Sequence, residues 1–255
     1  MTAPNRDTIL ETRNLSKSFK GFVAVSGVSL KVERGTIHAL IGPNGAGKTT
    51  CFNLLTKFLE PSSGQILYNG IDITAESPVE VARRGMVRSF QISAVFPHLT
   101  VLDNVRIALQ RVLGTSFHFW RSQKSLDTLN PRALELLSQV GLEAYSRRLA
   151  VELPYGQKRA LEIATTLAQD PELMLLDEPT QGMGHEDVDH VMALIKSVST
   201  QRTILMVEHN MKVVSQISDR ITVLARGAIL AEGHYTEVAA HPEVITAYMG
   251  TEGAA

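Results

Sequence analysis

The chain has almost no cysteine and no excess of charge of either sign. Cys51 is the only cysteine in 255 residues, so an internal disulfide is excluded, and we expect this thiol to pack as a small apolar group in a reducing compartment. Lysine and arginine number 25 against 26 aspartate and glutamate. Because the chain has no basic footprint for a phosphate backbone, nucleic acid is not expected as a partner.

The chain also lacks a long apolar run. No stretch approaches the roughly 20 consecutive apolar residues of a transmembrane helix, and the segment from Met1 to Arg13 lacks the apolar part of a signal peptide. If the protein acts at a membrane, we expect another chain to supply the span. The length is sufficient for one large α/β domain or for a core with a smaller inserted subdomain.

A glycine-rich loop lies between a predicted strand, Thr36 to Ile41, and a predicted helix, Thr50 to Phe58. Glycines let backbone N–H groups converge on a β-phosphate, the Lys48 ammonium faces the β/γ oxygens, and the Thr49 hydroxyl is placed for Mg²⁺. The alternative, a glycine-rich turn that happens to carry a lysine, does not explain the flanking strand and helix. The sequence therefore predicts a phosphate-binding loop for a nucleoside triphosphate, formed by Gly42, Pro43, Asn44, Gly45, Ala46, Gly47, Lys48, Thr49 and Thr50.

Two further strands end in residues suited to hydrolysis. Leu173 to Leu176 is followed by Asp177, which can reach the Mg²⁺ shell, and by Glu178, which can polarise an attacking water. This is the pattern of a Walker B strand, although a strand before an acidic turn reads the same way when taken alone. Thr203 to Val207 precedes Glu208 and His209, and a histidine there can hydrogen-bond a γ-phosphate or simply cap the strand.

The pattern of apolar runs predicts an α/β architecture. A mainly parallel core sheet is expected beside an antiparallel one, and between Gln91 and Leu153 helical periodicity replaces the β pattern. That segment is interpreted as an inserted helical subdomain with helices Val101 to Val112 and Arg132 to Val140. The runs assigned to the antiparallel sheet are Ile9 to Leu15, Val25 to Val32 and Gln65 to Tyr68, and those assigned to the core are Thr36 to Ile41, Met86 to Phe90, Leu173 to Leu176, Thr203 to Val207 and Ile221 to Leu224.

In order and spacing, these segments resemble an ATP-binding cassette (ABC) ATPase over essentially the whole chain. The matching elements are the phosphate loop, Gln91 after a strand, Leu153 to Gln157 ahead of a helix, and then Asp177, Glu178 and His209. Within that superfamily the chain is similar to the ATPase subunits of branched-chain amino acid importers. The closer likeness lies in Val87 to Gln91, Phe96 to Val101, Leu153 to Gln157 and the tail Pro242 to Gly250.

The resemblance implies the fold and the cofactors. It implies a single ABC ATPase domain with a P-loop NTPase core, an antiparallel β subdomain and a helical insertion, divided into residues 1–91 and 154–255 for the core and 92–153 for the insertion. ATP and Mg²⁺ are the implied cofactors, with Lys48, Glu178 and His209 catalytic. Phe19 takes the place of an aromatic that stacks on adenine. Gln91 takes the place of a glutamine that contacts Mg²⁺, with Thr49 and Asp177, and relays the nucleotide state to a membrane subunit.

The family signature is matched with departures. Leu153, Pro154, Tyr155, Gly156 and Gln157 match the segment that caps the γ-phosphate bound by the opposite subunit. Pro154 replaces the usual serine and Tyr155 the first glycine, so the Gly156 N–H and the positive end of the following helix must carry more of that contact. Gly184 stands where an aspartate is usual, and the sequence does not determine how this change affects communication between the two subunits of the dimer.

The implied function is that of a peripheral ATPase at the cytoplasmic face of the inner membrane. Two cassettes, identical or homologous, close around ATP and drive separate transmembrane permease subunits, and a periplasmic substrate-binding protein takes part indirectly.

The alternatives are an export ATPase such as that of lipopolysaccharide transport, and a soluble ABC ATPase of DNA repair or translation. The soluble proteins carry a long coiled coil or two fused cassettes, and this chain shows neither. A nucleotide kinase would explain the phosphate loop but not Leu153 to Gln157. The transported solute is not determined by this chain.

An aromatic cluster lies in the expected helical insertion, at Phe117, His118, Phe119 and Trp120. It fits docking to a membrane subunit and local packing equally well.

Overall fold

A computed structural model describes residues 7–89, 95–112 and 123–252. A six-stranded sheet forms the centre of the structure. Its strands are β4 (Ile37–Ile41), β7 (Met86–Ser89), β8 (Leu173–Asp177), β9 (Thr203–Val207), β10 (Arg220–Ala225) and β11 (Ala228–Gly233). The order is β11-β10-β4-β9-β8-β7, parallel throughout except for the antiparallel pair β10 and β11. The predicted parallel core sheet is confirmed, whereas β11 was not foreseen.

The central strands are buried on both faces. Every residue of β4, β8 and β9 is buried, which is why these segments are continuous apolar runs and not alternating patterns. Leu40 pairs with Val207, and Val207 pairs with Asp177, so the three strands end at one edge of the sheet. Ligands of open parallel sheets bind beyond the carboxyl ends of the strands, and the predicted catalytic segments follow these strands there.

A second sheet is antiparallel. It contains β1 (Thr8–Phe19), β2 (Phe22–Val28), β3 (Lys31–Glu33), β5 (Ser63–Tyr68) and β6 (Ile71–Asp72), in the order β2-β1-β5-β6 with β3 also on β1. The sequence predicted a single strand over Val25 to Val32, and the structure divides it. Val28 pairs with Leu15 whereas Lys31 pairs with Glu11, because β1 is long enough to hold two partners in succession.

The helices connect the strands and cover both faces of the parallel sheet. They are α1 (Lys48–Leu55), α2 (Pro78–Arg83), α3 (Val101–Val112), α4 (Asn130–Gln139), α5 (Tyr155–Leu167), α6 (His185–Ser199), α7 (Met211–Ile217), α8 (Tyr235–Ala239) and α9 (Pro242–Glu252). Short 3₁₀ helices span Gln123–Leu129, Glu143–Tyr145 and Ala150–Glu152. Of the helices in the described part of the chain, none has the length and apolar content that a membrane span requires.

The parallel sheet separates two apolar clusters. Met206 of β9 faces a cluster built with α3, α4, α5 and α6, while its neighbour Leu205 faces a cluster built with α1 and the antiparallel sheet. Alternate residues of one strand therefore belong to different layers. Burial on both sides fixes the register of the strands, because a slip of one residue would exchange the two faces.

A buried histidine makes stability depend on pH. His38 on β4 is fully buried, and its Nε2 lies 2.8 Å from the Thr222 hydroxyl oxygen. Burial lowers the pKa of His38 to about 4; the Glu232 carboxylate opposes this shift and the Arg220 guanidinium adds to it. The folded pKa is below the unfolded value of about 6.5, so the unfolded chain binds more protons between these values and stability falls as pH falls.

We therefore expect the free energy of unfolding to decrease by about 2 kcal/mol from pH ~7 to pH ~5 through this residue alone. Urea unfolding of the parent and His38→Gln at both pH values measures it, because the variant should lose that part of the pH dependence. His190→Gln, on the exposed face of α6, is the matched control and should keep the parent dependence. An unchanged pH dependence in His38→Gln would contradict the assignment.

Candidate functional site

The glycine-rich loop between β4 and α1 has a shape that only glycine permits. Gly42, Gly45 and Gly47 have φ of 152°, 77° and 99°. A Cβ on Gly47 would lie 2.5 Å from the Ala24 carbonyl oxygen, and one on Gly42 would overlap the carbonyl oxygen of Leu224. The loop is thus curled tightly and packed on its outer side against other backbone.

Backbone hydrogen bonds fix the loop against the turn between β10 and β11. The Gly227 N–H donates to the Ala46 carbonyl over 3.0 Å, and the Ser26 N–H donates to the Gly227 carbonyl over 2.8 Å. Inside the loop, the Ala46 N–H donates to Pro43 over 3.1 Å. Three elements that are distant in sequence therefore hold one loop conformation.

The loop ends at a helix whose amino terminus has no side-chain cap. Gly47 is the N-cap residue of α1 and makes no side-chain hydrogen bond. The first N–H groups of a helix have no partner within it, and together with the helix dipole they attract anions. Thr49 is exposed in this first turn, as are Asn44 and Gly45 in the loop before it. The geometry suits a phosphate group.

Lys48 supplies the cation of the loop. Its Nζ donates to the carbonyl oxygens of Gly42 and Pro43 over 2.6 and 3.0 Å. Burial lowers the pKa of Lys48, and the charges of Glu178 and Asp177 oppose that shift. The ammonium is therefore held at the loop, within electrostatic reach of both carboxylates.

Asp177 is buried at the end of β8 and has a partner that sequence reasoning missed. Arg88 on β7 donates from Nη2 to Asp177 Oδ2 over 2.5 Å and from Nη1 to Asn53 Oδ1 over 2.6 Å. Its guanidinium lies 5.7 Å from the centre of the Phe52 ring. The sequence indicates Arg88 only as part of a segment of family resemblance, because its pairing with Asp177 depends on the parallel packing of β7 against β8.

A second unforeseen arginine ties α5 to the same strand end. Arg159 is buried and donates to the Asp177 carbonyl oxygen over 3.0 Å and to Glu162 Oε2 over 2.5 Å. A pair of charged residues inside an apolar helical pattern was the signal that could have revealed it. This contact fixes the helix that begins with Leu153 to Gln157 relative to the Walker B strand.

Glu178 and His209 meet across the ends of neighbouring strands. Glu178 has φ of 45°, an uncommon conformation for a residue other than glycine, and its N–H donates to Val207 over 2.9 Å. Its Oε1 lies 3.9 Å from His209 Nδ1, which is too long for a hydrogen bond but close enough for an ion pair when the imidazole is protonated. Sequence reasoning assigned no role to Glu208, which directly precedes His209 and is fully buried.

The signature segment opens α5. Leu153 is buried in the core, and Pro154 is the N-cap residue without a side-chain hydrogen bond, as its chemistry requires. Tyr155 is more than half exposed, whereas Gly156 is buried, and a Cβ on it would lie 2.5 Å from Asp187 Oδ1. Gln157 follows in the first turn. This helix packs against α3, α4 and α6, while the phosphate loop leads into α1 beside β2, so different parts of the fold carry the two segments.

The remaining predicted residues are Phe19, which the structure describes, and Gln91 and the aromatic cluster, which it does not describe. Phe19 ends β1 at a hairpin and is 41% exposed, with the Lys17 ammonium 5.2 Å from the centre of its ring. Gln91 and the aromatic cluster of residues 117–120 lie outside the described residues.

Comparison with known proteins identifies the family of the chain. The ABC transporter family matches residues 25–181, and the family described as branched-chain amino acid ATP-binding cassette transporter matches residues 228–254. The chain is 40% identical over 252 residues to the high-affinity branched-chain amino acid transport ATP-binding protein BraF of Pseudomonas aeruginosa. It is 38% identical over 253 residues to LivG of Escherichia coli, which has the same descriptive name. Each alignment covers 95% of this chain and 98% of the relative.

Solved structures are similar over almost the whole fold. The ADP conformation of MJ1267, an ATP-binding cassette of an ABC transporter, superposes with a TM-score of 0.83 at 30% identity and covers 95% of this chain and 99% of the other. A dimeric, post-hydrolysis state of the cassette MJ0796, bound to ADP and Pi, superposes with a TM-score of 0.74 at 25% identity and covers 89% and 99%. The predicted P-loop α/β fold is thereby confirmed.

The packing of the loop predicts the effect of one methyl group. Gly47→Ala must force the Ala24 carbonyl outward and distort the loop, so we expect nucleotide affinity to fall by at least about tenfold, or ~1.4 kcal/mol. Gly35→Ala is the control, because Gly35 also has positive φ, of 75°, but a Cβ there meets nothing within 4 Å. Titration of both variants with a fluorescent ATP analogue measures the difference. Equal affinities would refute the steric role of Gly47.

Proposed function

Because the chain belongs to the ABC transporter ATP-binding family, we propose that it hydrolyses ATP to drive import of branched-chain amino acids or related small solutes through separate permease subunits. ATP hydrolysis by the family requires a phosphate loop, a metal-binding carboxylate and a base for water. The observation that carries the proposal is the convergence of Lys48, Asp177 and Glu178 at one edge of the parallel sheet.

The chemistry of the site follows from these groups. The loop N–H groups and the Lys48 ammonium stabilise negative charge that develops on the β/γ oxygens. The Glu178 carboxylate accepts a hydrogen bond from the attacking water and orients this water in line with the γ-phosphate. His209 lies 3.9 Å from Glu178, and we propose that it holds this carboxylate and the transferred phosphoryl group in one geometry.

The donor set around the loop fits Mg²⁺. Within residues 7–89, 95–112 and 123–252 no three His, Cys, Asp or Glu side chains cluster as a metal site. Mg²⁺ bound with ATP needs only one or two protein oxygens beside phosphates and waters. The Thr49 hydroxyl and Asp177 are suited to supply them, with Gln91 added by family resemblance. When bound, the ion neutralises phosphate charge; Arg88 holds one Asp177 oxygen and thereby orients the other.

Adenine is proposed to stack on Phe19. The ring is partly exposed, and the Lys17 ammonium lies 5.2 Å from its centre, held by a 2.7 Å hydrogen bond to the Glu60 carbonyl. A stacking platform has no polar group that reads the base, so selectivity between purines should be loose.

A second cassette is proposed to complete each site. The signature segment and the phosphate loop are carried by different parts of the fold, and a solved relative is dimeric. The first turn of α5, from Tyr155 to Gln157, has no side-chain cap and would then face the γ-phosphate bound by the partner. Pro154 offers no hydroxyl there, so backbone N–H groups and the helix dipole make the contact.

The solute follows from relatives and not from the site. BraF and LivG are named for branched-chain amino acid transport, and residues 228–254 match the family of that name. A periplasmic binding protein and the permeases would select the solute, so this chain would meet it only indirectly.

An exposed groove fits a permease segment. A cavity of about 260 Å³ lies between α2 and β7, lined by Phe58, Val79 and Met86, and also by Arg88. Phe58 and Val79 are each about half exposed. Because Arg88 both lines this groove and bonds Asp177, an apolar segment of a permease in the groove would be connected to the nucleotide site. We assign the chain to the cytoplasmic face of the membrane as a peripheral subunit, with residues 92–153 as an inserted helical subdomain.

Removing one charge tests hydrolysis and dimer formation together. Glu178→Gln keeps the shape of the side chain but loses its affinity for a proton, so ATP should still bind while turnover falls by at least about a hundredfold. The variant should then form a dimer with Mg²⁺ and ATP but not with ADP, as measured by size-exclusion chromatography with light scattering. Glu135→Gln, on the exposed face of α4, is the control and should hydrolyse at the parent rate. A monomer that hydrolyses ATP normally would refute both proposals.

The groove is tested by placing a charge in it. Val79→Asp should leave the ATPase activity of the isolated subunit within about twofold and should abolish co-purification with permeases and ATP-driven uptake in proteoliposomes. Ile71→Asp, equally exposed on β6 outside the groove, should keep both. Normal permease binding by Val79→Asp would show that the groove is not the docking site.

A further inference from the structure

A fully buried carboxylate joins the two loops that carry Glu178 and His209. Glu208 has no exposed surface. Its Oε1 accepts hydrogen bonds from the N–H and the hydroxyl of Thr180, over 3.1 and 2.6 Å. Its Oε2 accepts from the N–H groups of His209 and Asn210, over 3.0 and 3.1 Å. Four donors on two segments therefore meet at one side chain.

The arrangement requires a carboxylate. Each oxygen of Glu208 accepts two hydrogen bonds, and an amide has only one acceptor oxygen. Glutamine would turn an NH₂ group toward either Thr180 or the N–H groups of His209 and Asn210, leaving donors facing donors. Burying a charge is costly unless donors compensate it, so packing alone does not account for this residue.

The two bridged segments carry the proposed catalytic groups. Thr180 lies two residues after Glu178, and a turn closes between them through the Gln181 N–H and the Glu178 carbonyl, over 3.1 Å. On the other side, Asn210 caps α7 by accepting from the Lys212 N–H over 3.1 Å. Glu208 thus links the turn after β8 to the start of α7.

We propose that Glu208 is a positioning residue for ATP hydrolysis, which holds Glu178 and His209 in register across the ends of β8 and β9. Glu178 has positive φ, a conformation that persists only when its surroundings fix it. The Glu208 carboxylate fixes the turn on one side and the His209 backbone on the other. It touches no substrate and acts only through these two segments. This inference rests on the proposed function of Glu178 and His209.

A second carboxylate–threonine pair, in which Arg220 also donates to the carboxylate over 3.0 and 2.7 Å, provides the controls. Glu232 also accepts from a buried threonine, since Thr222 donates to its Oε2 over 3.0 Å. This pair lies on β10 and β11, and neither residue is assigned to the site. Glu208→Gln is therefore compared with Glu232→Gln, and Thr180→Val with Thr222→Val.

The experiment separates positioning from general destabilisation. ATP affinity, kcat and KM are measured for each variant, and urea unfolding gives its stability. We expect Glu208→Gln to lower kcat at least about tenfold with KM within about threefold, and Thr180→Val to lower kcat several-fold. The variant that combines Glu208→Gln with Thr180→Val should lose less kcat than the product of the two single losses, because both substitutions act through the Glu208 carboxylate. Glu232→Gln and Thr222→Val should keep the parent kcat even where they lower stability.

Each outcome decides the proposal. The proposal is overturned if Glu208→Gln keeps the parent kcat or if its kcat falls only as much as that of Glu232→Gln. It is also overturned if a rise in KM accounts for the whole decrease in kcat/KM. If Glu208→Gln does not fold, Thr180→Val decides: a kcat equal to that of Thr222→Val overturns the proposal. The proposed function fails separately, when the parent does not hydrolyse ATP or when Glu178→Gln hydrolyses it normally.

Discussion

The parallel register of three buried strands is the constraint on which the rest of the structure depends. Leu40, Val207 and Asp177 lie side by side on β4, β9 and β8, so the segments that follow these strands emerge together at one edge. The loop with Lys48 and the turn with Glu178 start from this edge. Apolar clusters on both faces of the sheet make a change of register costly, so packing far from the nucleotide site sets the relative positions of its reactive groups.

Around this edge the fold uses buried charges for position more than for stability. Arg88 holds one oxygen of Asp177, and Arg159 holds the carbonyl of the same residue from α5. Glu208 joins the turns on either side with four hydrogen bonds. Buried ion pairs contribute little net stability compared with apolar packing, but they define distances closely because a misplaced charge is costly. Asp177 and the turns around Glu208 are therefore each held by several buried hydrogen bonds.

The same architecture connects three surfaces. In our proposal the loop side binds nucleotide, the first turn of α5 is directed to a second cassette, and the groove beside β7 receives a permease segment. Arg88 belongs to the groove and to the Asp177 network, and Arg159 belongs to α5 and to that network. Asp177 is thus the point at which the three surfaces meet. A change in its surroundings is one physical route by which nucleotide state and partner contact can influence each other.

The sequence by itself determined the loop, the two strand-end carboxylates and the fold class, because glycine spacing, lysine and apolar runs are local features. Helix α1 was predicted from Thr50 but begins at Lys48, since the left-handed Gly47 sets its start. Only the tertiary structure decided the partners of Asp177 and the link between Glu208 and Thr180, because these contacts join residues that are distant in the chain. The division of Val25 to Val32 between β2 and β3 was likewise decided by pairing with β1, since strand identity depends on the partner and not on propensity.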